Sequence, residues 1–332
     1  MRNLAIIGAG NWGTALAIVL APRFERVRLW VYEEELAARM AVTRENDLYF
    51  PGFTIPIEVG VTSQLHVALE GADVVVSVMP SHLVRGLYGQ MLPFVEESMV
   101  FVSATKGLET GTLLRVSEVM RKVLRLRMDA RIAVLSGPTF AREVAALQPT
   151  ALVVASQDAG LAEEVQAAFS GPSFRVYANQ DPIGVEIGGA IKNVVAIGAG
   201  VLYGLSLGHN PMAALITRGL AEMTRLAVAM GGKPLTLAGL AGLGDLVLTC
   251  HGELSRNRMV GIELARGRAL DEIVGSMRMV AEGVKTTSAA VDLARLYGVE
   301  MPISQQMSEM LHSQVSPREA IRRLMDRSLK GE

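Results

Sequence analysis

Cysteine is nearly absent from the 332 residues. Cys250 stands alone, so no disulfide can close within the chain, and a reducing compartment fits. Excess charge of either sign is missing too, with 32 basic against 33 acidic side chains. That balance argues against a nucleic-acid partner and against an acidic solvating tail. Aromatic residues are sparse and scattered, which leaves no stacking stripe for single strands. The five histidines show no metal-ligand spacing, and Cys250 and His251 have no partners that would complete a zinc pattern, so no metal is expected. No internal repeat or low-complexity segment is visible. The N-terminal apolar run breaks into glycine, asparagine and tryptophan within a few residues, unlike a signal peptide. The longest run without formal charge, Asn193 to Thr217, is interrupted by "LGHNP". It reads as two buried helices and a loop rather than a membrane span. The expectation is a cytoplasmic protein with no membrane anchor.

What is present is a half-apolar chain, long enough for two domains. Short β-branched runs recur through its first half: "LAIIG" (4–8), "VRLWV" (27–31), "ADVVVSVMP" (72–80), "MVFVSAT" (99–105), "RIAVLSGP" (131–138) and "TALVVAS" (150–156). Each is followed by a turn, and helical patterns lie between them. This predicts parallel strands buried on both faces, an α/β fold with an N-terminal Rossmann-like doubly wound sheet. Beyond about Asp181 strand runs vanish and an all-α C-terminal domain is expected, giving domains 1–180 and 181–332. In "PMAALITRGLAEMTRLAVAMG" (211–231), Asn210 suits a cap, Pro211 the first helical position and Gly231 the stop. Arg218, Glu222 and Arg225 form one charged stripe on that helix. The apolar helical half also offers material for a homodimer interface.

The most informative turn is "GAGNWG" (8–13), a G-x-G-x-x-G that follows a strand run and opens a helix. Gly8 allows the tight turn, Gly10 lets a pyrophosphate approach the backbone, and Gly13 lets helix pack on strand, with the phosphates at the helix N-terminus. Glu33 lies 20 residues after Gly13, the usual place for an acid bonding a ribose 2′-hydroxyl. Such an acid favours NAD over NADP. It also fits the start of a solvated helix face. The letters "IGAG" recur at 197–200, but Tyr203 stands where a third glycine would be due. That copy is read as helix packing.

Lys192 and Asn193 are the polar pair in "IGGAIKNVVAIGAG" (187–200). Burying an ammonium is costly unless a partner offsets it, and a desolvated lysine suits proton transfer to a reacting oxygen. Gly188 and Gly189, one turn earlier, leave no side chain to block a ligand on that face. Asp245 in "AGLGDLVLTC" is the evident counter-charge, with a helix N-cap as its other role. Ser255, Arg256 and Asn257 in "SRNR" form a cluster suited to wrapping a phosphate. "SATKGLE" (103–109), with Lys106, and "SGPTFAREVA" (136–145) follow strand runs and so reach the ligand edge of the sheet.

Together with "IGAGNWGTALA", "TRGLAEMTRL" and "VAEGVKT", these segments resemble the NAD(P)-dependent glycerol-3-phosphate dehydrogenases of the bacterial type, from residue 6 to 286. The resemblance implies reversible reduction of dihydroxyacetone phosphate to sn-glycerol 3-phosphate with NAD or NADP, supplying the backbone of phospholipids. It implies Lys192 as proton donor and acceptor, with Asp245 positioning it and the substrate. Lys106 would touch substrate and cofactor. Gly137, Thr139, Asn193, Ser255, Arg256 and Asn257 would bind substrate, with Arg256 on its phosphate and near the cofactor. Asn11, Trp12, Tyr32, Ala141, Val280 and Glu282 would line the cofactor. "VYEE" departs from the basic residue common after the second strand in bacterial members, and Arg23 or Arg26 would have to compensate for a 2′-phosphate. The rivals are a β-hydroxyacid or ketopantoate-type dehydrogenase and a noncatalytic NADH-sensing module.

Overall fold

The computed structural model describes residues 1–277 and 281–328. They contain ten strands: β1 (Asn3–Ile7), β2 (Arg26–Trp30), β3 (Glu45–Asn46), β4 (Phe50–Thr54), β5 (Val59–Thr62), β6 (Val74–Ser77), β7 (Val100–Ser103), β8 (Arg131–Ser136), β9 (Thr150–Ala155) and β10 (Phe174–Asn179). Eight form one sheet in the order β10-β9-β8-β7-β6-β1-β2-β5, and β3 pairs with β4 in a separate hairpin. Without the hairpin, β5-β2-β1-β6-β7-β8 follows the 3-2-1-4-5-6 order of dinucleotide-binding sheets.

Side-chain alternation explains why both faces are covered. Leu4 and Ile6 of β1 enter one apolar cluster, with Val74, Val76, Val100 and Val102. Ala5 and Ile7 enter the opposite one, with Val75 and Phe101. Each buried Val, Leu or Ile side chain stabilises by about 1.5–3 kcal/mol. The expectation of wholly parallel strands fails at one pair, because β9 runs antiparallel to β8. β10 then pairs parallel with β9. The short β8–β9 connection carries only the helix Ala141–Ala145, too little chain for a full crossover back to the same edge.

The chain divides into two compact units, Met1–Glu109 with Leu114–Glu186, and Thr110–Leu113 with Ile187–Glu332. The division falls inside the helix Pro182–Gly204. Asp181 caps this helix through Oδ1, which accepts from Gly184 N–H at 2.8 Å. In the first unit, Glu186 accepts from both the backbone N–H and the hydroxyl of Ser117, at 2.8 and 2.6 Å. Strands end with β10, and the regular elements among the described residues of the second unit are helices.

The helix Pro182–Gly204 is long and apolar enough to cross a membrane, yet its whole apolar window is buried inside the protein. Glycines let it pack closely on the helix Arg256–Ala265. A β-carbon at Gly200 would lie 1.9 Å from the Arg258 carbonyl oxygen, and one at Gly261 would lie 1.9 Å from that of Ile197. The next helix, His209–Ala229, starts two residues before the position suggested by Pro211, and Gly208 rather than Asn210 is its N-cap. Gly231, with φ +94°, follows its end as anticipated. The charged stripe on this helix divides: Arg218 and Arg225 are exposed, whereas its middle member is not. Glu222 is 1% exposed and accepts from Ile303 N–H at 2.6 Å and from the Ser304 N–H and hydroxyl at 3.1 Å. It supplies the cap that Met301 does not give the helix Pro302–Leu311. Burial pushes the Glu222 carboxyl up to about 7, against those three hydrogen bonds.

Candidate active site

In the first unit the glycine turn sits at the carboxyl end of β1. Gly8 has φ +118°, and a β-carbon there would lie 2.1 Å from the Val78 carbonyl oxygen just past β6. That is the crevice where the strand order reverses, the usual ligand position in such sheets. A β-carbon at Gly13 would lie 1.9 Å from the Gly8 carbonyl oxygen, whereas at Gly10 nothing lies within 4 Å. The turn is therefore closed where it packs and open at Gly10, as an approaching pyrophosphate requires. Gly10 caps the helix Asn11–Leu20 with no side chain, so the N-terminus can meet an anion. Asn11 Oδ1 accepts from Trp12 N–H at 2.8 Å. The buried Nε1 of Trp12 has no hydrogen-bond partner among the described residues.

Tyr32 is 78% exposed beyond β2, its ring edge-on to Trp30. Glu33 is half-buried and stands as N-cap of the helix Glu34–Thr43. Its carboxylate accepts from the Tyr49 hydroxyl at 2.6 Å. This bond, with burial and the Glu33 charge, pushes the Tyr49 phenol up to about 12. Arg23 donates to the carbonyls of Ala167 and Ala168, and Arg26 to those of Glu70 and Gly71. Both arginines that would have to compensate for a 2′-phosphate are thus engaged with backbone carbonyls. Tyr49 was not singled out from sequence, because its partner lies 16 residues away and no local pattern marks the pair.

After β7 and β8 the loops converge on one carbonyl. Lys106 Nζ donates to Gly137 O at 2.9 Å, and the Thr139 hydroxyl donates to the same oxygen at 3.1 Å. Gly137 has φ +146°, and a β-carbon would lie 2.8 Å from Leu152 Cα, so only glycine fits there. Ala141 opens the helix Ala141–Ala145 and is buried in the core.

The second unit holds the buried lysine. Lys192 is 6% exposed and Asp245 1%. Lys192 Nζ donates to Asp245 Oδ1 and, at 2.8 Å, to the Thr249 hydroxyl oxygen. The Thr249 hydroxyl in turn donates to the Asp245 carbonyl at 2.6 Å. Its proton is thus spent on the helix, and its lone pair faces the ammonium. Thr249 is a second residue that sequence reading missed; its spacing of four from Asp245 on one helix was the available signal. Asp245 is the first residue of the helix Asp245–His251, with Gly244 as N-cap, and a π-turn over Leu240–Gly244 delivers it. Such wide turns occur often at functional positions. A β-carbon at Gly188 would lie 2.6 Å from the Ala241 carbonyl oxygen. Protein, not an open ligand path, fills that space. Cys250, next to Thr249, is fully buried, and desolvation pushes its thiol up to about 12.

Three further segments of this unit meet through amides. Asn193 Oδ1 accepts from Asn257 Nδ2 at 2.9 Å, and Asn257 Oδ1 accepts from Gly283 N–H at 2.9 Å. Lys192, Arg256 and Glu282 each precede one of these residues. Burial holds the Arg256 guanidinium below its ordinary range, and the Glu282 charge opposes that shift. Ser255 is the N-cap of the helix Arg256–Ala265, its hydroxyl accepting from Arg258 N–H at 3.2 Å. Val280 lies outside the described residues. Among the described residues no cluster of His, Cys, Asp and Glu could hold a metal ion.

Two family models match the chain: NAD-dependent glycerol-3-phosphate dehydrogenase N-terminus over residues 3–162, and the C-terminus of the same family over residues 181–322. A glycerol-3-phosphate dehydrogenase [NAD(P)+] of Koribacter versatilis is 59% identical over 329 residues, covering 98% of each chain. That of Citrifermentans bemidjiense is 54% identical over 331 residues, covering 100% of this chain and 99% of the relative. The crystal structure of a glycerol-3-phosphate dehydrogenase from Coxiella burnetii superposes with a TM-score of 0.93 at 40% identity, covering 98% of this chain and 99% of that one.

Proposed function

The chain belongs to the NAD-dependent glycerol-3-phosphate dehydrogenase family, and from that premise we propose that Lys192 is the proton donor and acceptor of its reaction. The activity is the reversible NAD(P)H-dependent reduction of dihydroxyacetone phosphate to sn-glycerol 3-phosphate. When bound, the nicotinamide supplies or takes up the hydride at C2. Lys192 gives a proton to the C2 oxygen as the ketone is reduced and takes it back in the reverse direction. Asp245 provides the counter-charge, and Thr249 restricts the ammonium's orientation from a second side. Preorganisation of this kind stabilises charge developing on the substrate oxygen without reorganisation at the moment of reaction.

In this reading the first unit takes the dinucleotide. Gly8, Gly10 and Gly13 admit the pyrophosphate, Asn11 and Trp12 open the helix that faces it, and Glu33 meets the ribose. The orphaned Trp12 Nε1 and the open space at Gly10 fit a bound group there. Lys106, Gly137 and Thr139 are offered as substrate contacts from the same sheet edge. Arg256 is offered for the substrate phosphate, and Glu282 for the cofactor. The substrate roles of Asn193, Asn257 and Ser255 are proposed through their backbones and the segments they fix, since their side chains are engaged with one another or with a helix end.

The observation that carries the proposal is a lysine buried on an aspartate and a threonine in a chain of this family. Absorbance of NADH in the presence of dihydroxyacetone phosphate tests the activity. Lys192→Ala is expected to lose about 10²–10⁴ in kcat while its NADH dissociation constant stays near that of the parent. Near-parental turnover would remove Lys192 from the mechanism.

A further inference from the structure

Glu33 is held at its place by a chain of hydrogen bonds that starts in the phosphate-binding turn. Asn46 is 0% exposed. Its Nδ2 donates to Ala9 O at 2.7 Å and to the Thr14 hydroxyl oxygen at 2.9 Å. Its Oδ1 accepts from Tyr49 N–H at 3.0 Å, and the Tyr49 hydroxyl donates to Glu33 Oε1 at 2.6 Å. Asn46 lies in β3, and Phe50 directly after Tyr49 begins β4. The hairpin thus ties the turn after β1 to the acid after β2, and neither link follows chain neighbourhood.

The nearby arginines are committed elsewhere. Arg39, on the helix that Glu33 caps, pairs with Asp47, and Arg44 donates to the carbonyls of Ile55, Pro56 and Val59. Among the described residues Glu33 forms no ion pair. Its charge has no counter-charge among them, and one of its two oxygens is already fixed by a phenol.

We propose that Tyr49 is a specificity-determining residue, which by holding the Glu33 carboxylate keeps a negative charge at the ribose and makes this chain select NADH over NADPH. The proposal rests on the reading that Glu33 meets the adenosine ribose. Oε2 accepts from a ribose 2′-hydroxyl. A 2′-phosphate in that position brings about two negative charges against the carboxylate. An unheld glutamate would turn away from the phosphate at the cost of one rotamer change. Held by Tyr49, it must also give up a charge-assisted hydrogen bond, which is among the stronger kinds.

The test is direct binding. Dissociation constants for NADH and NADPH are measured by calorimetry in the parent, Tyr49→Phe, Glu33→Gln and the double variant. The parent is expected to bind NADH more tightly by about tenfold or more, and Tyr49→Phe to shrink that ratio about three- to tenfold by strengthening NADPH. Glu33→Gln should shrink it at least as far, and the double variant should match Glu33→Gln alone. Parental chemical-unfolding curves in each variant show that the fold is intact. If Glu33→Gln collapses the ratio and Tyr49→Phe leaves it at the parental value, the Tyr49 proposal fails and the ribose reading stands. A double variant shifted further than Glu33→Gln would also overturn it, because Tyr49 would then act without Glu33. If Glu33→Gln itself leaves the ratio unchanged, or the parent prefers NADPH, the ribose reading fails.

Discussion

The letters Ile-Gly-Ala-Gly occur twice, at residues 7–10 and 197–200, and the two copies do opposite work. In the first, glycine makes a sharp turn and leaves emptiness: Gly8 takes φ +118°, and nothing stands within 4 Å of the missing β-carbon of Gly10. In the second, the backbone is plain helix and the space is used up. Gly200 lies against the Arg258 carbonyl, and the side chains of Leu215 and Met307 come to 3.4 Å from where a Gly198 β-carbon would be. One copy is open at Gly10; the other is filled by protein where two helices touch. Identical residues acquire a meaning only from what the remainder of the chain brings beside them.

Substitution at matched positions breaks the comparison most directly. Gly200→Ala forces a methyl into a backbone carbonyl and should cost about 3 kcal/mol or more of stability, read by chemical unfolding. Gly10→Ala adds the same methyl to open space. It should leave unfolding nearly unchanged while weakening NADH about tenfold or more, because the pyrophosphate must come close to that backbone. Equal losses of stability in the two variants would erase the distinction. A smaller effect is expected at Thr249, which lies behind the lysine that the second copy's helix carries. Thr249→Val removes the acceptor facing Lys192, and kcat should fall about tenfold with the NADH dissociation constant unaltered. A changed cofactor affinity would mean that the sealed helical region also shapes the open turn.

The smallest effect concerns a charge within the filled region. The Glu222 carboxyl titrates near 7 when folded, above its ordinary 4.5. The folded state therefore holds more protons than the unfolded state across that window, and this group's contribution to stability falls as pH rises through it. Between about pH 6 and 8 the parent should lose about 1 kcal/mol relative to Glu222→Gln, measured as the difference between their unfolding curves. A parent that gains stability over that range would show that the helix cap outweighs burial.

Much of the first unit is legible in the chain because its physics is local. Its β-branched runs are short and end in turn residues, which suits strands, and G-x-G-x-x-G spells out which backbone must be approached. Lys192 and Asp245 were legible for a related reason: charges in apolar runs need each other, and each was the other's nearest remedy. Sequence hides what depends on topology. The reversal of β9 follows from how little chain joins it to β8. Glu222 sits in a periodic charged stripe, and only the helix Pro302–Leu311 arriving 80 residues later turns it inward. Asn46 and Tyr49 look like ordinary loop residues until Ala9, Thr14 and Glu33 are seen beside them.

The sealing of Cys250 gives the chain an experimental property. A thiol this deep, with its ionisation pushed up to about 12, presents almost no thiolate to an electrophile at neutral pH. With no other cysteine in the sequence, the native protein is a blank background for maleimide chemistry. A cysteine introduced for the 78% exposed Tyr32 would be the single reactive handle, and a dye placed there would report on the rim beside Glu33 without a site having to be silenced first.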